Sequence, residues 1–478
     1  MRAAQLRPSW DPVTDVKGIA TFIILVGLLL CDLTLPNDNP LDIFRYGAYA
    51  VGATLAIGFF VQTAQGFKIL LQPDSVAIFT LYFLTYAEFL SPDLRVLRDT
   101  TPEGAIAASE VVMLSFAGLA LGRHLPLFGK ALAKIDLPEV SPAAIYRSLL
   151  LFAFLGYLYV LMSVQFDVTE IISSLLLPRF WQPWQRGRLG DWSSLLIELN
   201  LLLYAVFAIG GYIYASRRLF SMRQKIIVAV ILLFSLFFDV ASGARNIVMI
   251  RIGLFLMTYL LADRTRSTIK TIAVVTVSLA GLWIVTGYML EFRNAGLGAF
   301  LDSTADESML ETHTMIDNNM YSIANVIEMF PKYYDYPGFQ VIWTSVIHPI
   351  PRALWPDKPV DWSDSIEQAL DSRGGTIAVT YVGEAYLVAG YATAFLFSLL
   401  FGALAAGWGK MGSRLRTNAG LILYVSGFYA VTLGMRSMQW ITVAILPVVA
   451  FYLTARLLPR SRVQRIFARI KAATRTTR

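Results

Sequence analysis

SLLLFAFLGYLYVLMSVQF, residues 148–166, runs from Arg147 to Asp167 without a charged side chain. At 1.5 Å per residue such a run makes a helix of about 28 Å, close to the thickness of a bilayer's hydrocarbon core. The segment it belongs to opens near Ile145. Others of spanning character begin near Gly18, Phe44, Asp74, Gly104, Ser194, Ile226, Arg245, Ile269, Thr380, Ala419 and Met438. The expected fold class is therefore an all-α polytopic membrane protein with about twelve transmembrane helices. Composition points the same way. Of 478 residues 56% are hydrophobic and 15% charged, with mean hydropathy +0.58, whereas a soluble domain carries about 25% charged residues. Cys31 is the single cysteine, so no internal disulfide framework is available. The apolar run from Gly18 lacks a small-residue cleavage site, and we expect a retained helix there, not a signal peptide.

Basic residues set the expected orientation. With the N-terminus in the cytoplasm, the inner segments and the tail from Arg456 to Arg478 hold 26 of the 40 Lys and Arg. That balance needs an even number of spans, which puts both termini in the cytoplasm, and we expect an inner (cytoplasmic) membrane protein. The net charge of +7 is largely this signal. The tail, residues 459–478, suits anionic lipid headgroups. Without a folded basic domain it gives no reason to expect nucleic acid. The lipid bilayer itself is the first partner.

Four regions follow: residues 1–288 with nine spans, a large extracytoplasmic loop at 289–379, three spans at 380–458, and the tail. A smaller outer loop lies near 165–193. A loop as long as 289–379 is usually functional. Its tyrosines, tryptophans and prolines suit a packed, irregular, partly helical path. Helices are expected over 316–330, with Asp317 near the start, and over 341–347. The basic aromatic stretch Arg179-Phe180-Trp181-Gln182-Pro183-Trp184 reads as an interfacial belt, or as a surface for stacking sugars.

Arginines on the outer side depart from the positive-inside pattern. Arg245 and Arg436 sit in tight outer turns, Arg293 follows a span, and Arg352 and Arg373 lie in the large loop. Guanidinium forks bind phosphate oxygens bidentately and stay charged, so together they suit a lipid-linked pyrophosphate. Arg245 would add its charge to a helix N-terminus. Arg251, about 9 Å further along the axis, lies at membrane depth and needs a partner or a purpose. Pairing with Asp239 or Glu291 is the plain alternative for Arg251, and headgroup contact is the alternative for Arg245 and Arg436. Glu384, in Gly383-Glu384-Ala385-Tyr386, is expected near the outer end of a span. Three roles are open to it: general base, salt-bridge partner of an arginine, or a carboxylate that orients one. Metals and cofactors are not expected, because His124, His313 and His348 have no ligand spacing and no phosphate loop occurs.

The string His348-Pro349-Ile350-Pro351-Arg352-Ala353-Leu354-Trp355-Pro356-Asp357-Lys358-Pro359 resembles the outer-loop signature of bacterial oligosaccharide repeat-unit polymerases of the O-antigen (Wzy-like) type. Gly383-Glu384-Ala385-Tyr386 with Gly390-Tyr391, and Ser242-Gly243-Ala244-Arg245-Asn246, resemble two further motifs of that family. The arginine–ten residues–glycine hallmark of some members is missing from the large loop. The resemblance implies a GT-C-like, metal-independent membrane glycosyltransferase. It would polymerise undecaprenyl-pyrophosphate-linked glycans at the outer face of the membrane, with a separate chain-length regulator protein as a partner. In that reading Glu384, Arg352 and Arg245 are catalytic. Arg245, Arg293, Arg352, Arg373 and Arg436 hold pyrophosphate, and Trp343, Trp355 and Asp317 meet the glycan. Trp343 and Trp355 equally suit packing of the loop onto the bundle. A ligase of the O-antigen type shares the donor chemistry, and a lipid-linked oligosaccharide flippase or another transporter is the rival from a different class.

Overall fold

Several spans announce their own starts. Asn39-Pro40, Thr101-Pro102 and Ser141-Pro142 each place a capping side chain before a proline, and each cap accepts a backbone N–H of the first turn. The proline needs no donor there and its fixed φ suits a first helical residue. Ser221 and Gln224 form a reciprocal capping box at a fourth start.

The computed structural model describes residues 14–91, 100–125, 127–132, 134–135, 137–184, 193–262, 273–274, 276–278, 281, 289, 296–301, 319–350, 354–359, 379–412 and 417–457. The main helices in the first half are α1 Thr14–Leu33, α2 Pro40–Gln62, α3 Pro73–Thr85 and α4 Pro102–Gly122. They continue with α5 Pro142–Ser163, α6 Val168–Leu175, α7 Leu202–Ala215, α8 Met222–Ala241 and α9 Arg245–Ala262. In the second half come α10 Asn319–Met329, α11 Phe339–Ile347, α12 Thr380–Ala389 and α13 Tyr391–Gly412. The last three are α14 Asn418–Arg436, α15 Met438–Ala444 and α16 Leu446–Leu457.

Among the described residues the protein is all-helical, and 10 helical stretches are long and apolar enough to cross a membrane. Two of the expected starts need correction. The segment at Asp74 is α3, with 13 residues, followed by a short 3-10 turn at Ala87–Leu90. The segment at Thr380 is not one span. Gly390, at φ 77°, reverses the chain, and α12 folds back along α13. Tyr381 and Ser398 meet through their hydroxyls at 2.9 Å, and Thr393 donates to the Ala385 carbonyl at 2.6 Å. The span proper is Tyr391–Gly412. Much of the segment from Ile269 lies outside the described residues.

The helix expected over 316–330 is α10, and it does not sit on top of the bundle. Met320, Tyr321, Ile323 and Ala324 are buried against α2, α4 and α12. Asn319 donates to the Leu84 carbonyl at 2.7 Å. At its other end one Glu328 oxygen accepts from the Thr101 N–H and from the Thr100 and Thr101 hydroxyls. The large loop is thus stitched to the start of α4.

Small residues bring α4 and α13 together. A Cβ at Gly402 would lie 2.5 Å from the Leu119 carbonyl oxygen, and one at Gly118 would lie 2.7 Å from the Ser398 side chain. Tyr391 donates to Glu110 at 3.0 Å, so the two helices run side by side in the same direction. Where hydrocarbon surrounds the helices, close backbone approach of this kind is a main source of association. One apolar core gathers α1–α4, α10, α12 and α13; a second gathers α5, α7, α9 and α16. The long helix α14 contributes to both.

Candidate functional site

Glu384 sits on α12, directly after Gly383. A Cβ on Gly383 would lie 2.7 Å from the Val379 side chain just before the helix, so glycine here lets the chain turn into α12 with Val379 folded against it. Glu384 is 4% exposed. Its carboxylate accepts from the Ser437 hydroxyl and from the Met438 backbone N–H. Ser437 is itself the cap of α15, accepting from Gln439 N–H at 3.2 Å. The first N–H groups of a helix have no partner within it and carry partial positive charge. The carboxylate of Glu384 therefore meets the start of α15, directly after Arg436. The expectation of a position near the outer end of a span is corrected: Glu384 lies on a short helix folded back into the bundle.

Arg245 opens α9 and Arg436 closes α14. Their helices pack together in opposite directions: Tyr204 of α7 meets Arg251 and Tyr429, while further along α7 Gly211 lies against Phe255 and Tyr212 meets Asn418. Tyr204 stacks on Tyr429 of α14 at 3.7 Å between centroids, and the Arg251 guanidinium of α9 lies 5.1 Å from the same ring. Tyr204 also feels the charge of Arg436. Arg245 and Arg436 consequently share one end of the bundle. Arg251 resolves in favour of the plain reading. It is 1% exposed and forms an ion pair with Asp239 of α8 at 2.5 Å. Asn200 and the Tyr204 and Phe207 rings complete its surroundings.

The proline-rich string forms a clasp where it is described. Lys358 donates from Nζ to the carbonyls of His348 at 2.9 Å and Ile350 at 3.1 Å. Its N–H closes the turn Trp355-Pro356-Asp357-Lys358 onto the Trp355 carbonyl, with proline in the position its φ favours. The Lys358 charge acts on Glu198, at the start of the span Leu196–Ala215. His348 faces Trp440 of α15, ring centroids 6.4 Å apart. Trp343, on α11, is 42% exposed, and Trp355 is half-buried. Arg293, Arg352, Arg373, Asp317 and Glu291 lie outside the described residues. Of the basic aromatic stretch, Trp184 is buried against Phe238 while Trp181 is exposed.

The opposite end holds a polar cluster that the sequence reading missed. Asp74 is 2% exposed and pairs with Lys17 at 2.5 Å. Arg123 donates from Nε to Thr21 at 2.9 Å and from Nη2 to the Lys17 carbonyl at 3.2 Å. The His124 ring lies 2.7 Å from the Thr21 hydroxyl. Burial pushes the His124 pKa down, and the charges of Arg123 and Lys17 push it further. Because α14 runs the length of the bundle and starts beside α3, this cluster and Arg436 are at opposite ends. The signal available in the sequence was Asp74, a carboxylate opening an apolar segment.

These features define a polytopic helical protein with a buried acidic group beneath an arginine turn. The chain belongs to the family described as Domain of unknown function (DUF8712), which it matches over residues 192–446. That stretch contains every candidate outer-end residue and excludes Lys17, Asp74 and Arg123. No curated protein and no solved structure matches the chain.

Proposed function

We propose that this protein is a membrane glycosyltransferase of the inner membrane, with about twelve spans and both termini cytoplasmic. It joins undecaprenyl-pyrophosphate-linked oligosaccharide units into a surface polysaccharide on the outer face. The observation that carries this reading is Glu384 bound at the start of α15, next to Arg436, at the end of the bundle that also holds Arg245. In the reaction, an acceptor sugar hydroxyl attacks the anomeric carbon of the donor chain. The bond from that carbon to the diphosphate breaks, the lipid diphosphate leaves with the electron pair, and the hydroxyl proton passes to an oxygen of the departing diphosphate. The charge gathering on the leaving group needs preorganised cations. Arg245 and Arg436 supply them, with Arg352, Arg293 and Arg373 as the further cations that the family resemblance implies. Glu384 acts chiefly as a positioning carboxylate, since donors from Ser437 and Met438 engage its oxygens; it fixes the turn that aims Arg436.

The test uses purified protein in lipid with purified lipid-linked repeat units and no added metal. Each new linkage should release one lipid diphosphate, and Arg436→Ala should abolish both products together. Elongation without lipid diphosphate release, or no elongation by the intact protein, would sink the reading.

A flippase is the second reading, favoured by the cluster at the other end, where Asp74 and Arg123 are buried and Lys17 is half-buried. Charge sequestered in the bundle interior at that end, facing the arginines across it, fits a route through the bundle. Deletion in cells separates the two. Single capped units at the surface support the polymerase; loss of all surface glycan with lipid-linked units trapped inside supports the flippase. Long chains left on their lipid would make it a ligase.

A further inference from the structure

From residue 336 to residue 351 the chain has no Lys, Arg, Asp or Glu. Within that stretch α11 has two faces. Val341, Thr344 and Ser345 are buried, and the Ser345 carbonyl accepts from the Thr442 hydroxyl of α15 at 2.8 Å. On the opposite side Phe339, Trp343 and Val346 follow one another at helical spacing and are 69%, 42% and 56% exposed. Ile350 and Leu354 carry the apolar surface on past the helix. A helix facing water shows charged residues on its outer side. An uncovered apolar face of this extent marks a surface that meets hydrocarbon.

Exposed leucines on the spans meet the bilayer too, but α11 differs in what stands next to it. Its end touches α15 through His348 and Trp440, and Trp440 is 40% exposed. Trp440 lies two residues past the Glu384-bound start of α15 at Met438, and only the extended Ser437 separates that start from Arg436. The Lys358 ammonium is bonded to the His348 carbonyl at the same corner. Hydrocarbon-seeking surface and cationic groups therefore meet within a few residues. A lipid diphosphate has the complementary arrangement, with a long apolar chain joined directly to a compact anionic head.

We propose that the outward face of α11, with Trp440, is the docking surface for the hydrocarbon chain of a long-chain isoprenoid diphosphate, whose head lies at the Arg436 turn. This inference rests on the glycosyltransferase reading for its substrate and adds where the tail binds. The α11–α15 corner then reads the lipid, while the arginines read the diphosphate.

The experiment uses the full chain in nanodiscs and two donors with the same glycan, one on a long-chain and one on a short-chain isoprenoid diphosphate. Wild type should favour the long-chain donor. The double variant Phe339→Ser with Trp440→Ser should lose about tenfold in kcat/KM on the long-chain donor and keep its turnover of the short one. Tyr333→Ser, exposed but outside this corner, should behave as wild type. A second readout needs no turnover. A photoreactive isoprenyl diphosphate should label residues 339–354 of the wild type, and unlabelled isoprenyl diphosphate, but not phospholipid, should compete. Equal loss on both donors, or unchanged chain-length preference, overturns the docking surface. So does labelling that phospholipid removes, which would mean bilayer contact only. If the intact protein labels specifically but turns over neither donor, the glycosyltransferase reading fails and the docking surface stands.

Discussion

Two buried carboxylates sit at opposite ends of this bundle and are held in different ways. Asp74 is met by the ammonium of Lys17, with the Arg123 guanidinium close by. Glu384 accepts from a hydroxyl and a backbone N–H. A carboxylate neutralised by cations forms a brace, since removing either charge strands the other away from water. A carboxylate that accepts from a hydroxyl and from the first N–H of a helix imposes a position on the chain that donates to it. The first arrangement fits a scaffold and the second fits a site. The Asp239–Arg251 pair shows that the brace occurs on the Arg245 side as well, so residue type and depth alone do not separate the two uses.

The sharpest way to break this contrast is to remove one charge from a brace. Arg251→Ala should cost about 3–5 kcal/mol of stability by stranding Asp239. Asp239→Asn with Arg251→Met should recover most of that loss, and thermal unfolding in detergent measures both. Lys17→Met should behave like Arg251→Ala and leave the specific activity of the surviving folded protein unchanged. A stable Lys17→Met protein with no activity would move the Asp74 cluster from scaffold to site and favour transport. Glu384→Gln should show the reverse pattern, with a melting temperature near wild type and glycan elongation reduced about a hundredfold, about 2.7 kcal/mol of barrier. Glu328→Ala should cost about 2 kcal/mol, since three donors at Thr100 and Thr101 lose their acceptor. Faster hydrogen exchange over residues 319–329 would report that loosening.

The smallest expected effect concerns pH. His124 has its folded pKa depressed, so the unfolded chain takes up a proton first as pH falls. Stability should decline below about pH 6.5, the ordinary histidine value, and level off below the folded pKa. His124→Gln should flatten that slope in melting curves taken between neutral and mildly acidic pH.

Much of the architecture was legible because capping residues and apolar runs are local signals. Asn39-Pro40, Thr101-Pro102 and Ser141-Pro142 mark helix starts in any surroundings. The hairpin at Gly390 was not legible. From Thr380 to Gly409 the only charged residue is Glu384, and a single positive φ inside such a run leaves no periodic trace. Arg251 could be assigned to a partner only once α8 and α9 were packed, since Asp239 and Glu291 were equally plausible in sequence. Glu384 stood out as a carboxylate among small residues. Its partners, Ser437 and Met438, are more than fifty positions away and carry no charge to advertise the link. The Lys17–Asp74–Arg123 cluster was hidden for another reason: basic residues at span ends read as ordinary topology signals, and only packing shows that Arg123 is buried and that Lys17 pairs with Asp74.

The glycine seam between α4 and α13 bears on how this chain can be divided. The family match, residues 192–446, includes α13 but begins well after α4. Expressed by itself, that stretch would leave Gly402 and Ser398 facing lipid where Leu119 and Gly118 belong, and α10 would lose the N-terminal anchor of Thr100 and Thr101. We therefore predict that the matched region does not fold when expressed alone. Supplying residues 1–191 as a separate polypeptide should restore the missing neighbour and let the two pieces assemble.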